Sequence, residues 1–190
     1  NPKAEPSVHE ARNINPYLVD APDVVLTNRS DPVSAVPKMS WGNKPTDGGH
    51  LILSPEERTE LIAKEPAAAR CVRRYMGGGD FINGIERYCL WLIDATPDEL
   101  RSMPMVMERV ERVREFRLQS SAASTRAYAA YAMLFRQIAQ PEADYLAVPE
   151  VSSEQRHYIP VAFVSSKVIC SNTVQFVPHA ALLHFGVLVS

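Results

Sequence analysis

The sequence predicts an α+β domain: a mixed or antiparallel β-sheet, drawn mostly from the C-terminal half, with three or four helices packed around it. Three observations point there. Ser54-Pro55-Glu56-Glu57 and Thr96-Pro97-Asp98-Glu99 each set an N-cap hydroxyl, an N1 proline and an N3 glutamate in register for a capping box, which puts helices in the middle of the chain. From Tyr145 the character changes to short β-branched and aromatic runs, YLAVP, YIPVAFV, VIC and VQFVP, parted by turn residues. A chain of 190 residues is also long enough to bury roughly 70 % of its unfolded surface, so one real core is expected.

Residues 1–12 are poor in apolar side chains and read as an extended lead-in. Between Asn13 and Lys38, Pro16, Pro22, Pro32 and Pro37 exclude a helix, and the patches Tyr17-Leu18-Val19 and Val24-Val25-Leu26 are of strand type, which together describe an arm. Pro45-Thr46-Asp47-Gly48-Gly49 is a turn cluster before an apolar run that reaches Leu53. A helix follows from Ser54, a second is expected from about Pro66 to Tyr75, stopped by Gly77-Gly78-Gly79, and Tyr88 to Ile93 reads as a buried strand, with Phe81 to Ile93 joining the sheet. After Thr96 the apolar positions Met103, Val106, Val110, Val113 and Phe116 form one helical stripe. Glu108, Arg109, Glu111, Arg112, Arg114, Glu115 and Arg117 are its expected solvated face, with Glu108 and Arg112 paired at i, i+4. The chain is Ala-rich from Ser121 to about Ala139, and LLHFGVLVS at the C-terminus is apolar and uncapped, as if the element continued further.

Composition narrows the function. Hydrophobic residues make up 46 % and charged residues 22 %, with 15 Pro and 8 Gly, which excludes collagen-like, low-complexity and disordered classes. No apolar run approaches a membrane span and no signal peptide opens the chain, so a cytoplasmic protein without a membrane partner is expected. Cys71, Cys89 and Cys170 are odd in number and set among apolar neighbours, which suits buried thiols better than disulfides or a zinc site. A net charge of −2 gives no overall nucleic-acid footprint. From Arg70 to Arg136, however, there are eleven arginines and no lysine against eight acidic residues, so one face could meet phosphate.

Catalytic and metal chemistry finds no support. Asn15-Pro16-Tyr17 lacks the second proline of the motif that holds a flipped adenine, and no strand followed by a glycine-rich turn is expected, since Gly77 to Asp80 is read as ending a helix. Glu-x-Lys is absent, as are the nucleophile-elbow and P-loop patterns, and His179 and His184 are poorly spaced to share a metal. Catalytic residues, metal ligands and cofactors are therefore expected to be none, leaving a binding module.

Five stretches then carry a resemblance: INPYLVDAPDV from Ile14, GNKPTDGGHLIL from Gly42, FINGIERYCLWL from Phe81, YLAVPEVSSEQRHYIPVAF from Tyr145 and LLHFGVLVS from Leu182. In this order they resemble the target-recognition domain of MmeI-like type IIL restriction-modification proteins, over Ile14 to Ser190. The resemblance implies the fold of a DNA-methyltransferase target-recognition domain at residues 14–190, preceded at 1–13 by a linker from a methyltransferase domain of the same chain. It implies reading of an asymmetric site in the major groove of double-stranded DNA in a bacterial cytoplasm. The parent would be an adenine-N6 methyltransferase with endonuclease activity, using S-adenosylmethionine and Mg²⁺.

The polar turn Pro149 to Tyr158 supplies the base-reading candidates Glu150, Ser152, Glu154 and Arg156, because arginine matches guanine and a carboxylate matches the cytosine amino group. Ser152-Ser153-Glu154 matches the family's usual Ser-Ser-Glu, whereas Glu150 stands where the family often has Arg. Backbone-contact candidates are Lys44, Thr46 and Asp47 in the glycine-bearing turn, Arg70, Arg73 and Arg74, with Arg70 and Arg73 on one expected helical face, and Ser153. Arg87 is expected in an internal ion pair or at a domain interface. The competing class is a protein-interaction or structural domain that contacts another part of the same polypeptide.

Overall fold

The computed structural model describes residues 8–25, 27–29, 31, 32 and 34–190. The chain divides into two units, residues 1–36 and residues 37–190.

In the first unit Asn15 builds a closed loop. Its side-chain Oδ1 accepts the N–H groups of Tyr17 (3.0 Å) and Val19 (3.2 Å), and Ile14 bridges antiparallel to Asp20. This is an Asx-type turn, with Leu18 at φ 59°, so the strand expected at Tyr17-Leu18-Val19 gives way to a turn. The Asn-Pro-Tyr asparagine is thus spent on its own backbone. Val24 and Val25 are exposed and irregular; Leu26, the last residue of that expected strand, lies outside the described residues, as does most of the 1–13 lead-in.

The second unit holds eight strands: β1 (Ser40–Trp41), β2 (Ile52–Leu53), β3 (Val72–Met76), β4 (Arg87–Leu90), β5 (Tyr145–Pro149), β6 (Ala162–Val164), β7 (Ile169–Cys170) and β8 (Val174–Pro178). Its helices are α1 (Pro55–Lys64), α2 (Gly78–Asn83), α3 (Pro97–Arg101), α4 (Pro104–Leu118), α5 (Ala123–Ala127) and α6 (Leu182–Val189), with 3-10 turns at Pro66–Cys71 and Tyr128–Tyr131. The fold is mixed α and β, yet the strands make two sheets where the sequence suggests one. The first, ordered β1-β8-β5-β6, is antiparallel and largely C-terminal; the second, β2-β4-β3-β7, draws on residues 52–90 and takes β7 parallel to β3. The short β7 is the reason, since Tyr75 and Met76 pair with Ile169 and Cys170 across the sequence.

Both capping boxes form, at Ser54–Glu57 and Thr96–Glu99. The Thr96 helix is nonetheless two, because Pro104 has no N–H to donate and disfavours helical backbone at Met103. α4 starts without a local cap: the Glu65 carboxylate accepts the N–H groups of Met105 (2.5 Å) and Val106 (3.3 Å) from outside the helix. The helix expected over Pro66 to Tyr75 ends at Cys71, where Val72-Arg73-Arg74-Tyr75 pairs with β4 instead. Phe81 lies in α2, and only Arg87–Leu90 of the expected Phe81–Ile93 stretch is strand. The Ala-rich segment is a short α5, a 3-10 turn and coil. The C-terminal apolar run is helix α6, its entry capped by His184 Nδ1, which accepts the Ala181 N–H at 2.8 Å.

One core joins the second sheet to α1 and α4 through Leu51, Leu53, Leu61, Cys89, Leu90, Val106, Val110 and Val113; a smaller one, around Tyr145, Ala147 and Phe176, lies on the first sheet. No described helix is long and apolar enough to cross a membrane.

Candidate nucleic-acid interface

The α4 stripe runs Val106, Val110, Val113 and then Arg117, which is 0 % exposed, while Phe116 is 42 % exposed and lies against Gly48. Inward spacing of four, three and four continues to residue 117, so the expected assignments of Phe116 to the core and Arg117 to solvent are exchanged. Arg117 is accommodated because its guanidinium donates to five carbonyls. Nε reaches Thr46 (2.9 Å), Nη2 reaches Pro45 (2.9 Å) and Leu134 (2.7 Å), and Nη1 reaches Tyr131 (2.9 Å) and Tyr128 (3.4 Å). None of these partners is a carboxylate. Burial lowers its pKa from the ordinary arginine value, but a group that starts so high keeps its charge.

This guanidinium clamps the Pro45–Gly49 turn to the 128–134 segment. Thr46 is held at φ 47°, an uncommon backbone for a β-branched residue, and Asp47 is 4 % exposed, its Oδ2 accepting the Leu51 N–H at 2.6 Å. Asp47 therefore shapes the turn from inside. Lys44 is exposed above it, its backbone paired with Gln137 in both directions. Lys44, Thr46, Thr125, Arg136 and Gln137 line an open cleft of about 320 Å³. Arg109 braces the far side, donating to His50 O at 3.1 Å and to Glu57 at 2.7 Å. The Ser54 N–H and Arg109 hold the Glu57 carboxyl below its usual value.

Arg70, Arg73 and Arg74 are not on one helix. Arg70 sits in the 3-10 turn and pairs with Glu99; Arg74, on β3, pairs with Glu86 at 3.0 Å; Arg73 is exposed on the same strand. As strand neighbours, Arg73 and Arg74 face opposite sides of the sheet. Arg87 is in the expected internal pair, 2.5 Å from buried Asp80.

The segment 150–159 is exposed throughout and spans β5 and β6, which pair antiparallel. β5 runs on past β6 along β8, and the Glu150 N–H closes that ladder on Thr173 O at 3.0 Å. Beyond it, Arg156 N–H bonds Ser153 O (3.1 Å) and Gln155 N–H bonds Ser153 Oγ (3.2 Å), a local turn that uses the Ser153 hydroxyl. Among the described residues, the side chains of Glu150, Ser152, Glu154 and Arg156 have no hydrogen-bond or ion-pair partner. The Gly42-Asn43 pair before the glycine-bearing turn is structural. Asn43, fully buried, bonds Gln140 Oε1, Cys170 O and the Ala139 N–H, and a Cβ at Gly42 would lie 2.3 Å from Ser171 O. From the sequence alone Asn43 has no assigned role, and Arg117 is placed on the solvated helix face.

Gly77 to Asp80 does follow a strand and open a helix, contrary to expectation. The Gly77 and Gly78 N–H groups are already taken, by Asp80 Oδ2 (2.6 Å) and Thr173 Oγ1 (2.9 Å). Cys71, Cys89 and Cys170 are buried free thiols, and burial raises each pKa, that of Cys170 to about 11. Among the described residues, no three His, Cys, Asp or Glu side chains are grouped to hold a metal ion.

Comparison with known proteins gives a consistent answer. The family model described as MmeI, target recognition domain, matches residues 20–190. DNA methyltransferase A of Bacillus subtilis (strain 168) is 35 % identical over 178 residues, covering 94 % of this chain and 20 % of that protein. The solved structure of the type IIL restriction-modification enzyme MmeI in complex with DNA superimposes with a TM-score of 0.87 at 47 % identity, over 98 % of this chain and 25 % of that one. The chain thus spans a quarter or less of the length of either relative.

Proposed function

This chain belongs to the MmeI target recognition domain family, and from that premise we propose that it reads base sequence in duplex DNA for an adenine-N6 methyltransferase and endonuclease whose catalytic domains lie elsewhere in the same polypeptide. The observation that carries the reading is the 150–158 loop, where the exposed side chains of Glu150, Ser152, Glu154 and Arg156 have no partners, raised on the antiparallel pair β5 and β6, with β5 also paired to β8.

Base edges in the major groove demand such an arrangement. A reading side chain must be unspent before binding, since a group that trades one internal partner for a base gains little. Glu150 and Glu154 accept from cytosine amino groups, Arg156 donates to guanine, and Ser152 serves either. Ser153 holds the loop turn and, with Lys44, Thr46 and Arg73, faces the phosphate backbone. Arg70 and Arg74 would first have to leave Glu99 and Glu86. S-adenosylmethionine and Mg²⁺ belong to the catalytic domains of the parent, which acts in the bacterial cytoplasm where its DNA lies.

The test is single-molecule sequencing of adenine methylation in DNA from cells that express the intact protein, wild type against Glu150→Arg. The expected result is one asymmetric motif that changes at a single base pair. An unchanged motif at normal activity would remove Glu150 from the readout, and a wild type that methylates no motif would defeat the recognition reading.

A further inference from the structure

The arginine-rich interval is less available to DNA than its composition suggests. Among the described residues of 70–136, nine of the eleven arginines are spent inside the chain. Seven pair with carboxylates: Arg70 with Glu99, Arg74 with Glu86, Arg87 with Asp80, Arg101 with Asp98, Arg109 with Glu57, Arg112 with Glu108 and Arg114 with Glu111. Arg117 and Arg126 donate to backbone carbonyls. Arg73 and Arg136 remain, their guanidinium groups without a hydrogen bond or ion pair, although the Arg136 backbone N–H bonds Pro45 O at 3.2 Å.

Arg136 stands in the cleft beside Lys44, whose ammonium is also unpaired. Two cations share one concavity with the hydroxyls of Thr46 and Thr125 and the amide of Gln137, and no carboxylate lines it. Another open groove, on α1, is lined by Glu56 and Glu60, so concavity alone does not make a site for an anion. The cleft is also held in shape from behind. The five carbonyls that Arg117 ties together belong to Pro45, Thr46, Tyr128, Tyr131 and Leu134, the segments that carry the cleft's walls. Arg136 lies 4.9 Å over the Tyr128 ring, and Arg117 lies 5.2 Å from the same ring, so an aromatic face fixes the direction of the free guanidinium. Arg117 itself adds a buried positive charge with no neutralising carboxylate bonded to it, and a charge removed from water is screened less than one on the surface.

We infer that the cleft of Lys44, Thr46, Thr125, Arg136 and Gln137 is a seat for one phosphodiester of the bound duplex, and that Arg136 is its principal cation. The inference rests on the DNA-recognition reading above and adds to it a residue, Arg136, outside both the reading loop and the glycine-bearing turn. A phosphate seated there makes hydrogen bonds to hydroxyl and amide groups and ion pairs to two cations without breaking any internal salt bridge, which Arg70 or Arg74 would have to do. Its role is register and affinity, and it carries no base information.

The experiment measures affinity of the intact protein for its cognate duplex and for a scrambled duplex as salt is raised, in wild type, Lys44→Gln, Arg136→Gln and the control Arg101→Gln, with thermal melting of each to show folding. Each of the first two substitutions is expected to weaken both duplexes by the same factor and to reduce the slope of log affinity against log salt by about 1, while the control leaves the slope unchanged. Folded variants with the wild-type slope would overturn the cleft assignment while leaving the recognition reading intact. A wild type with no salt-linear duplex binding would overturn both. Titration with inorganic phosphate separates the source of the anion: binding of free phosphate that Arg136→Gln abolishes, with duplex affinity unaffected, would make the cleft a small-anion site and overturn its assignment to DNA.

Discussion

Two polar segments of this chain, Pro45–Gly49 and 150–158, have opposite structural fates. The first is tied down at nearly every group: Arg117 takes its carbonyls, Asp47 turns inward to the Leu51 N–H, and Phe116 covers Gly48. The second has its backbone anchored at Glu150 and the side chains of Glu150, Ser152, Glu154 and Arg156 left free. Under the proposed function, the difference separates two tasks in reading DNA. Holding the phosphate backbone needs a rigid frame whose geometry is independent of sequence, whereas reading bases needs side chains that can be exchanged without cost to the fold.

The comparison breaks most sharply at Arg117. Arg117→Ala orphans five carbonyls and opens a cavity under the turn, and is expected to destabilise the domain by about 3 kcal/mol or more, read from urea unfolding midpoints. A cost below about 1 kcal/mol would mean that the turn is held by other contacts. Asp47→Ala removes one buried bond in the same frame and should cost about 1–2 kcal/mol by the same measurement, with thermal unfolding as a second probe. In the loop, Glu154→Ala and Arg156→Ala should each change stability by no more than about 0.5 kcal/mol while altering the methylated motif in the intact protein. A large loss of stability from either would show that the loop is structural and that the two segments do not differ in kind.

Legibility in the sequence followed the range of the forces involved. Both capping boxes were readable because a cap is decided within four residues. The four C-terminal strand runs were readable because alternation and β-branching are local. The Pro66 to Tyr75 region misled because Val72 to Tyr75 has a neutral local preference that pairing with β4 decides. Of the site, the exposed loop was visible as polar residues between strands, and the turn as a glycine cluster. The clamp behind the turn was not visible, since Arg117 belongs by composition to a charged helix face, and only five carbonyls gathered from residues 45–134 make its burial tolerable.

The sequence by itself determined that the chain mixes helices with short strands, where its caps and polar loops fall, and which family its motifs resemble, because each of these is written in neighbouring residues. The tertiary structure alone decided that the strands form two sheets, that β7 crosses to β3, and which arginines remain free for a ligand. Those outcomes depend on pairing between residues far apart in the chain: helical spacing records a pair such as Glu108 with Arg112, but Arg70, Arg109 and Arg117 are spent on partners that only the fold brings beside them.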